Sequence, residues 1–76
     1  MEINDKVEFA RNMFKILKVT HKRYEDLEAD EFFAPELKNH WYLFIGDDGS
    51  FLWRPPHLLH TQVIDEFRNG HRSVRG

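Results

Sequence analysis

The sequence predicts an α+β fold in which a long N-terminal helix, an aromatic β-hairpin and a C-terminal helix follow one another. Three observations predict this order: apolar residues at helical spacing in the first third, an aromatic run around an Asp-Gly turn, and a second helical pattern after two prolines. A chain of 76 residues provides one domain. We expect residues 1–70 to form this domain and residues 71–76 to be a flexible basic tail.

The first helix is indicated by apolar residues that recur three or four positions apart, behind a capping residue at Asn4 or Asp5. The pattern predicts a helix over residues 5–28, whose length allows a kink near Val19. Pro35 disfavours helical geometry in the residue before it, so the helix should end ahead of this proline. The apolar stripe consists of Val7, Ala10, Phe14, Leu17, His21 and Tyr24.

The hairpin is predicted from aromatic and β-branched residues on both sides of a turn that contains an Asp-Gly pair. Residues 40–45 should form the first strand, residues 46–50 the turn, and residues 51–54 the second strand. Two prolines follow and can open a helix, because a missing N–H costs nothing in the first turn. This second helix is predicted over residues 56–68, with Asn69-Gly70 as its C-terminal cap.

Large apolar side chains occupy both faces of the predicted hairpin, and a two-stranded ribbon cannot bury both faces by itself. Three arrangements would solve this problem. The two helices could cover opposite faces, a second copy could cover one face in a homodimer, or one face could bind a different protein. The candidate partner-binding residues are Trp41, Tyr42, Phe44 and Trp53.

Charge is unevenly distributed along a chain whose net charge is −2. Residues 1–23 carry a net charge of +3, whereas residues 24–36 carry −6 and are expected to form a solvated acidic helix end. The basic face of the first helix suggests an alternative function, nucleic-acid binding along a phosphate backbone, although the acidic run and the net charge oppose it. The residues of this basic stripe are Arg11, Lys15, Lys18, Lys22 and Arg23.

The sequence contains no nucleophile elbow, no P-loop and no dinucleotide fingerprint. It also contains no cysteine, which excludes disulfides and thiol catalysis and is typical of a cytoplasmic protein. His57 and His60 lie one helical turn apart, but without a third ligand nearby this spacing is weak evidence for a metal site. We therefore expect neither catalysis nor a cofactor nor a metal.

These observations lead to one functional expectation. The chain should be a small, cytoplasmic, non-enzymatic regulator, adaptor or inhibitor that binds another protein, or a second copy of itself, through an aromatic face of the hairpin. Its longest apolar run, residues 41–45, is too short to span a membrane, so no membrane partner is expected.

Overall fold

The structure is a computed structural model that describes residues 1–74. In this range it contains two α-helices, a short 3-10 helix and four strands, which confirms the α+β class with one helix first and one helix last. Neither α-helix of this range is long and apolar enough to cross a bilayer. The elements are α1 (Ile3–Phe14), β1 (Thr20–Tyr24), the 3-10 helix (Glu25–Leu27), β2 (Ala29–Phe33), β3 (Tyr42–Gly46), β4 (Phe51–Arg54) and α2 (His60–Arg68).

The four strands form one antiparallel sheet in the order β1-β2-β3-β4, so each strand pairs with its neighbour in the sequence. The predicted hairpin is the β3–β4 pair, in which Leu43 lies opposite Trp53. A second pair that was not predicted, β1–β2, lies beside it and places Lys22 opposite Glu31. Because β2 also pairs with β3, the predicted two-stranded ribbon is half of a wider sheet.

The two helices cover opposite faces of the sheet. Ala10 and Phe14 of α1 belong to one buried cluster, and Val63 and Phe67 of α2 belong to another. Successive strand residues point to opposite faces, so β3 contributes alternately to both clusters. This is the first of the three arrangements considered for the hairpin, and it completes the core within one chain. The sheet contributes Phe32, Leu43, Ile45 and Phe51 to the α1 face, and Ala29, Phe44 and Leu52 to the α2 face.

Helix α1 is much shorter than the helix predicted over residues 5–28. It ends at Phe14, where Lys15 adopts a left-handed backbone (φ 59°, ψ 41°) and its N–H donates to the Arg11 carbonyl at 2.8 Å. The following segment forms β1 instead. Pairing with β2 satisfies the backbone of β1, and such tertiary contacts routinely override a local helical preference.

Other helix boundaries also differ slightly from the prediction. The N-cap of α1 is Glu2 rather than Asn4 or Asp5. Helix α2 begins at His60, about one turn later than predicted, after a turn that follows the two prolines. It ends where expected, because Gly70 adopts φ 90°, a conformation that glycine reaches without strain.

The acidic run is not a solvated helix end, which corrects the prediction. Asp30 and Glu31 lie on the inner strand β2 and are only 3% and 1% exposed, respectively. Carboxylates are rarely buried without partners, so each of these two side chains needs hydrogen-bond donors or a counter-ion.

Ser73, which lies in the segment predicted to be a flexible tail, is hydrogen-bonded to β4. The N–H of Ser73 donates to the Phe51 carbonyl at 2.8 Å, and the N–H of Trp53 donates to the Ser73 hydroxyl at 2.8 Å. These bonds satisfy groups on the outer edge of β4, where an open strand would otherwise invite pairing with another chain. The rest of the predicted tail, residues 75–76, lies outside the described residues.

Candidate functional site

The two ends of the sheet differ in character. The strand register places the connections 15–19, 34–41 and 55–59 at the same end of the sheet. The opposite end carries the 3-10 helix, the turn 46–50 and the N-terminus, whose amino group donates to the Asp47 carbonyl. We call the first of these the apolar end. It exposes four large hydrophobic side chains, Leu17, Leu37, Trp41 and Leu59, whereas the opposite end exposes Met1 and Ile3.

Trp41 is the largest of these exposed side chains, with 41% of its surface accessible. Its ring stacks on that of Trp53, with a centroid separation of 5.4 Å and an interplanar angle of 23°. Trp53 in turn lies 5.4 Å from the ring of Phe14, at the end of α1. The exposed indole is therefore held against a ring that packs on the core, which limits the side-chain entropy it would lose on binding.

A cavity of about 450 Å³ also opens at the apolar end, on the α2 side of the sheet. Its volume lies in the range of pockets that accept a small molecule or a side chain of another protein. Most of the lining is aromatic or apolar. The lining residues are Glu31, Phe33, Leu37, Asn39, His40, Tyr42, Pro56 and His60.

The buried carboxylate of Glu31 is the main polar feature of this cavity. Its Oε1 atom accepts a hydrogen bond from the Tyr24 hydroxyl at 2.8 Å and lies 2.7 Å from Nε2 of His60. Because an ionised carboxylate only accepts hydrogen bonds, the imidazole must donate through Nε2. Burial and the bond to Glu31 raise the pKa of Tyr24 above its usual value, which keeps this hydroxyl protonated as a donor.

Aromatic contacts fix the imidazole of His60, which begins α2. The ring of Tyr42 stacks on it at 5.7 Å and 29°, and the ring of Phe44 lies 6.3 Å away. The Tyr42 hydroxyl donates to the Leu58 carbonyl at 2.9 Å, just ahead of the helix. The connection 55–59 and β3 therefore hold the cavity wall in one geometry.

The four predicted partner-binding residues separate into three groups. Phe44 is 0% exposed and belongs to the core on the α2 face, so it cannot anchor a partner in the folded chain. Tyr42 and Trp53 are half-buried, the first in the cavity wall and the second beneath the exposed indole. Only Trp41 presents a large accessible surface. The correction for Phe44 follows from α2, which covers a face that the hairpin alone would leave open.

The predicted basic stripe does not exist as one face of a helix. Arg11 lies on α1 and donates from Nε to the Leu17 carbonyl at 2.8 Å. Lys22 and Arg23 are neighbours on β1, so their side chains point to opposite faces of the sheet. Lys15 ends α1 and Lys18 lies in the next connection. The stripe is dispersed because the helix that would align it stops at Phe14.

A second polar site, the ion cluster, lies away from the apolar end. Lys6 is 2% exposed, and its ammonium donates to Asp30 at 2.8 Å and to Asp47 at 2.6 Å. Arg23 donates two bonds to Asp47, at 2.7 and 2.8 Å, and one to Asp30 at 3.2 Å. The guanidinium and then the ammonium hold the pKa of Asp47 below its usual value. The charges satisfy one another, so we interpret this cluster as structural.

Sequence reasoning considered His60 as a weak metal ligand or as a partly buried ring on the apolar face of the second helix, and Glu31 as part of the acidic run. The structure brings them together across 29 positions of the chain. Within residues 1–74, no group of three His, Cys, Asp or Glu side chains is arranged to hold a metal ion. An acidic residue followed directly by two aromatic residues, Phe32 and Phe33, would have been the available signal for a strand, but it competes with the helical pattern.

Comparison of the chain with protein-family models, with curated proteins and with solved structures found no match. The functional argument therefore depends on the geometry of the apolar end. Two features of that end carry chemical information, namely the exposed indole of Trp41 and the cavity that Glu31 lines.

Proposed function

We propose that this chain is a non-enzymatic binding module that contacts another protein through its apolar end, with Trp41 as the principal anchor. One observation carries the proposal: four large hydrophobic side chains are exposed at one end of a sheet whose core is already complete. Exposed apolar groups that cluster on a folded domain are typical of interaction surfaces.

The arrangement of the two tryptophans supports this role. Tryptophan is enriched among the residues that dominate binding energy at protein interfaces. Trp41 is accessible, whereas Trp53 is half-buried beneath it and supports its ring at 5.4 Å. The anchor is therefore largely preorganised, and it can be removed without opening either core cluster.

The dispersed basic residues favour this function over nucleic-acid binding. Arg23 is already engaged by Asp47 through two hydrogen bonds, and the ammonium of Lys22 lies over the Tyr24 ring at 5.1 Å. A phosphate backbone needs several free cations along one line. The dispersed cations therefore do not support the nucleic-acid alternative.

The proposal can be tested with random peptides displayed on phage, selected against the wild-type protein. Trp41→Ala serves as the test variant and Ile3→Ala as its matched control, because Ile3 is also 41% exposed but lies at the opposite end. We expect the selected peptides to bind the Ile3→Ala protein normally and the Trp41→Ala protein at least about tenfold more weakly, as for an interface anchor.

Light scattering identifies whether the partner is a second copy. A dimer that dissociates on Trp41→Ala but not on Ile3→Ala would assign the apolar end to self-association and support the proposal. A monomeric protein whose selected peptides bind both variants equally, or a selection without enriched peptides, would overturn it. Circular dichroism of each variant confirms that the fold is retained.

A further inference from the structure

We propose that the cavity at the apolar end receives a basic side chain, arginine or lysine, of the bound protein, with Glu31 as its counter-ion. This inference rests on the proposed binding function and adds the chemistry of the partner. The cavity combines a buried carboxylate with aromatic walls, and this combination is suited to an organic cation.

The charge of Glu31 is the first argument. The side chain is 1% exposed, and both of its hydrogen bonds, from Tyr24 and His60, fall on Oε1. The Tyr24 phenol donates without adding positive charge, and within residues 1–74 no Lys or Arg side chain forms an ion pair with Glu31, so its carboxylate charge lacks a permanently cationic partner. In a water-poor setting this charge is screened much less than a surface carboxylate.

The lysine that faces Glu31 across the strand pair forms no ion pair with it. Lys22 lies directly opposite Glu31 in the β1–β2 register. Its ammonium is nevertheless 5.1 Å from the centroid of the Tyr24 ring, in a cation–π contact. By contrast, the buried Asp30 on the same strand is paired with Lys6 at 2.8 Å and Arg23 at 3.2 Å. Of these two buried carboxylates of β2, Glu31 is the one without a Lys or Arg ion pair, since its partners are Tyr24 and His60.

The cavity walls supply the second argument. Phe33, Tyr42 and His60 present aromatic rings, and Leu37 and Pro56 add apolar surface along which the methylene groups of a long side chain can lie. A volume of about 450 Å³ accommodates such a side chain. Leu37, which is exposed at the apolar end, lines the cavity. Trp41 stacks on Trp53 on the α1 face, so a partner reaches both by crossing this end of the sheet.

The test uses a small cation that does not need the rest of the interface. Nα-acetyl-arginine amide is titrated into the ¹⁵N-labelled protein, and Nα-acetyl-citrulline amide serves as the neutral control of nearly identical shape. We expect saturable shifts of the amide signals of Asn39, Tyr42 and His60 with the arginine compound, and at least about tenfold weaker binding of citrulline. Nα-acetyl-lysine amide should behave as the arginine compound does.

Two carboxamide variants then locate the charge. Glu31→Gln should weaken arginine binding at least about tenfold, as expected when a buried counter-ion is lost. Glu36→Gln is the control, because Glu36 is an exposed acid of the connection 34–41 and tests a general electrostatic attraction. If Glu31→Gln fails to fold, the comparison of arginine with citrulline binding to the wild-type protein tests whether the cavity requires a positive charge.

Three results would overturn the inference: no saturable shifts with either cation, equal binding of arginine and citrulline, or equal losses for the Glu31→Gln and Glu36→Gln variants. The two proposals fail separately. If the selected peptides require Trp41 but contain no basic residue, the proposed binding function is supported and the cation pocket is not. If cations bind at the cavity but the phage selection enriches no peptides, the cation pocket is supported and the proposed protein-binding function is not.

Discussion

Lys6 shows at the scale of a residue how this small domain accommodates buried charge. The side chain is 2% exposed, yet its ammonium contacts two carboxylates, Asp30 and Asp47, at 2.8 and 2.6 Å. A buried ammonium without partners would cost several kcal/mol, on the order of the total stability of a small domain. The burial of Lys6 therefore depends on a carboxylate of β2 and another of the turn 46–50.

Replacing Lys6 with methionine should destabilise the protein by about 3 kcal/mol, because it leaves Asp30 buried with only part of its positive charge. Arg23 remains 3.2 Å from Asp30, which keeps the loss at the lower end of the range for broken buried pairs. Urea unfolding followed by circular dichroism measures the change. Lys38→Met, at an exposed position, should alter stability by less than about 0.5 kcal/mol. Equal midpoints for the two variants would contradict the interpretation of the ion cluster as structural.

The ends of the elements determine the topology at the next scale. Helix α1 stops because Lys15 turns into the left-handed region, and the chain then enters β1 at one edge of the sheet. That edge carries the exposed basic residues of β1, which discourage pairing with another strand. The opposite edge, β4, is covered by Ser73. Both exposed edges of the sheet are thus protected by different means.

The left-handed Lys15 predicts a simple stabilising substitution. The left-handed conformation destabilises a residue that has a Cβ atom by about 1 kcal/mol, and glycine avoids this strain. Glycine also has more conformational entropy in the unfolded chain, which offsets part of the gain. Lys15→Gly should therefore raise the free energy of unfolding by about 0.5 kcal/mol relative to Lys15→Ala, which keeps the strain. Urea unfolding compares the two variants. A less stable glycine variant would show that the strain at the end of α1 is negligible.

The whole molecule is joined by its charges as well as by its two apolar clusters. The ion cluster connects α1 through Lys6, β1 through Arg23, β2 through Asp30 and the β3–β4 turn through Asp47. These elements surround the end of the sheet opposite the apolar end. The molecule therefore has one end held together by ion pairs, where Met1 and Ile3 are also exposed, and another end that exposes four large hydrophobic side chains in its connections.

This arrangement predicts that the fold weakens in acid. Arg23 and Lys6 hold the pKa of Asp47 below its usual value, so the folded state binds the proton less readily than the unfolded chain. The stabilisation is fully present above about pH 4, the pKa region of an unfolded aspartate, and is lost as the pH falls below it. Urea midpoints measured from pH 5 to pH 2 should decrease, and Asp47→Asn should make this decrease shallower. Glu36→Gln, at an exposed site, should leave the change of the urea midpoint with pH unaltered. An equal effect of the Asp47→Asn and Glu36→Gln variants would contradict the role of Asp47.

Local chemistry in the sequence was sufficient for the β3–β4 hairpin and the end of α2. An Asp-Gly turn between aromatic runs and an Asn-Gly pair after a helical stripe act over a few residues, so neighbouring residues alone define them. Trp41 was also identified from the sequence as a candidate anchor, and the structure leaves it 41% exposed. The same local reasoning could not distinguish Phe44, because burial depends on where α2 packs.

Only the tertiary structure decided the nature of residues 15–36 and the composition of the cavity. The apolar spacing there favoured a helix, but β1 and β2 form because they pair with each other and β2 also pairs with β3, which satisfies their backbone groups. Glu31 and His60 meet across 29 positions for the same reason. Contacts between segments that are distant in the sequence stabilise both the strands β1 and β2 and the Glu31–His60 pair. A single sequence contains the residues that make such contacts, but it does not show which of them contact each other.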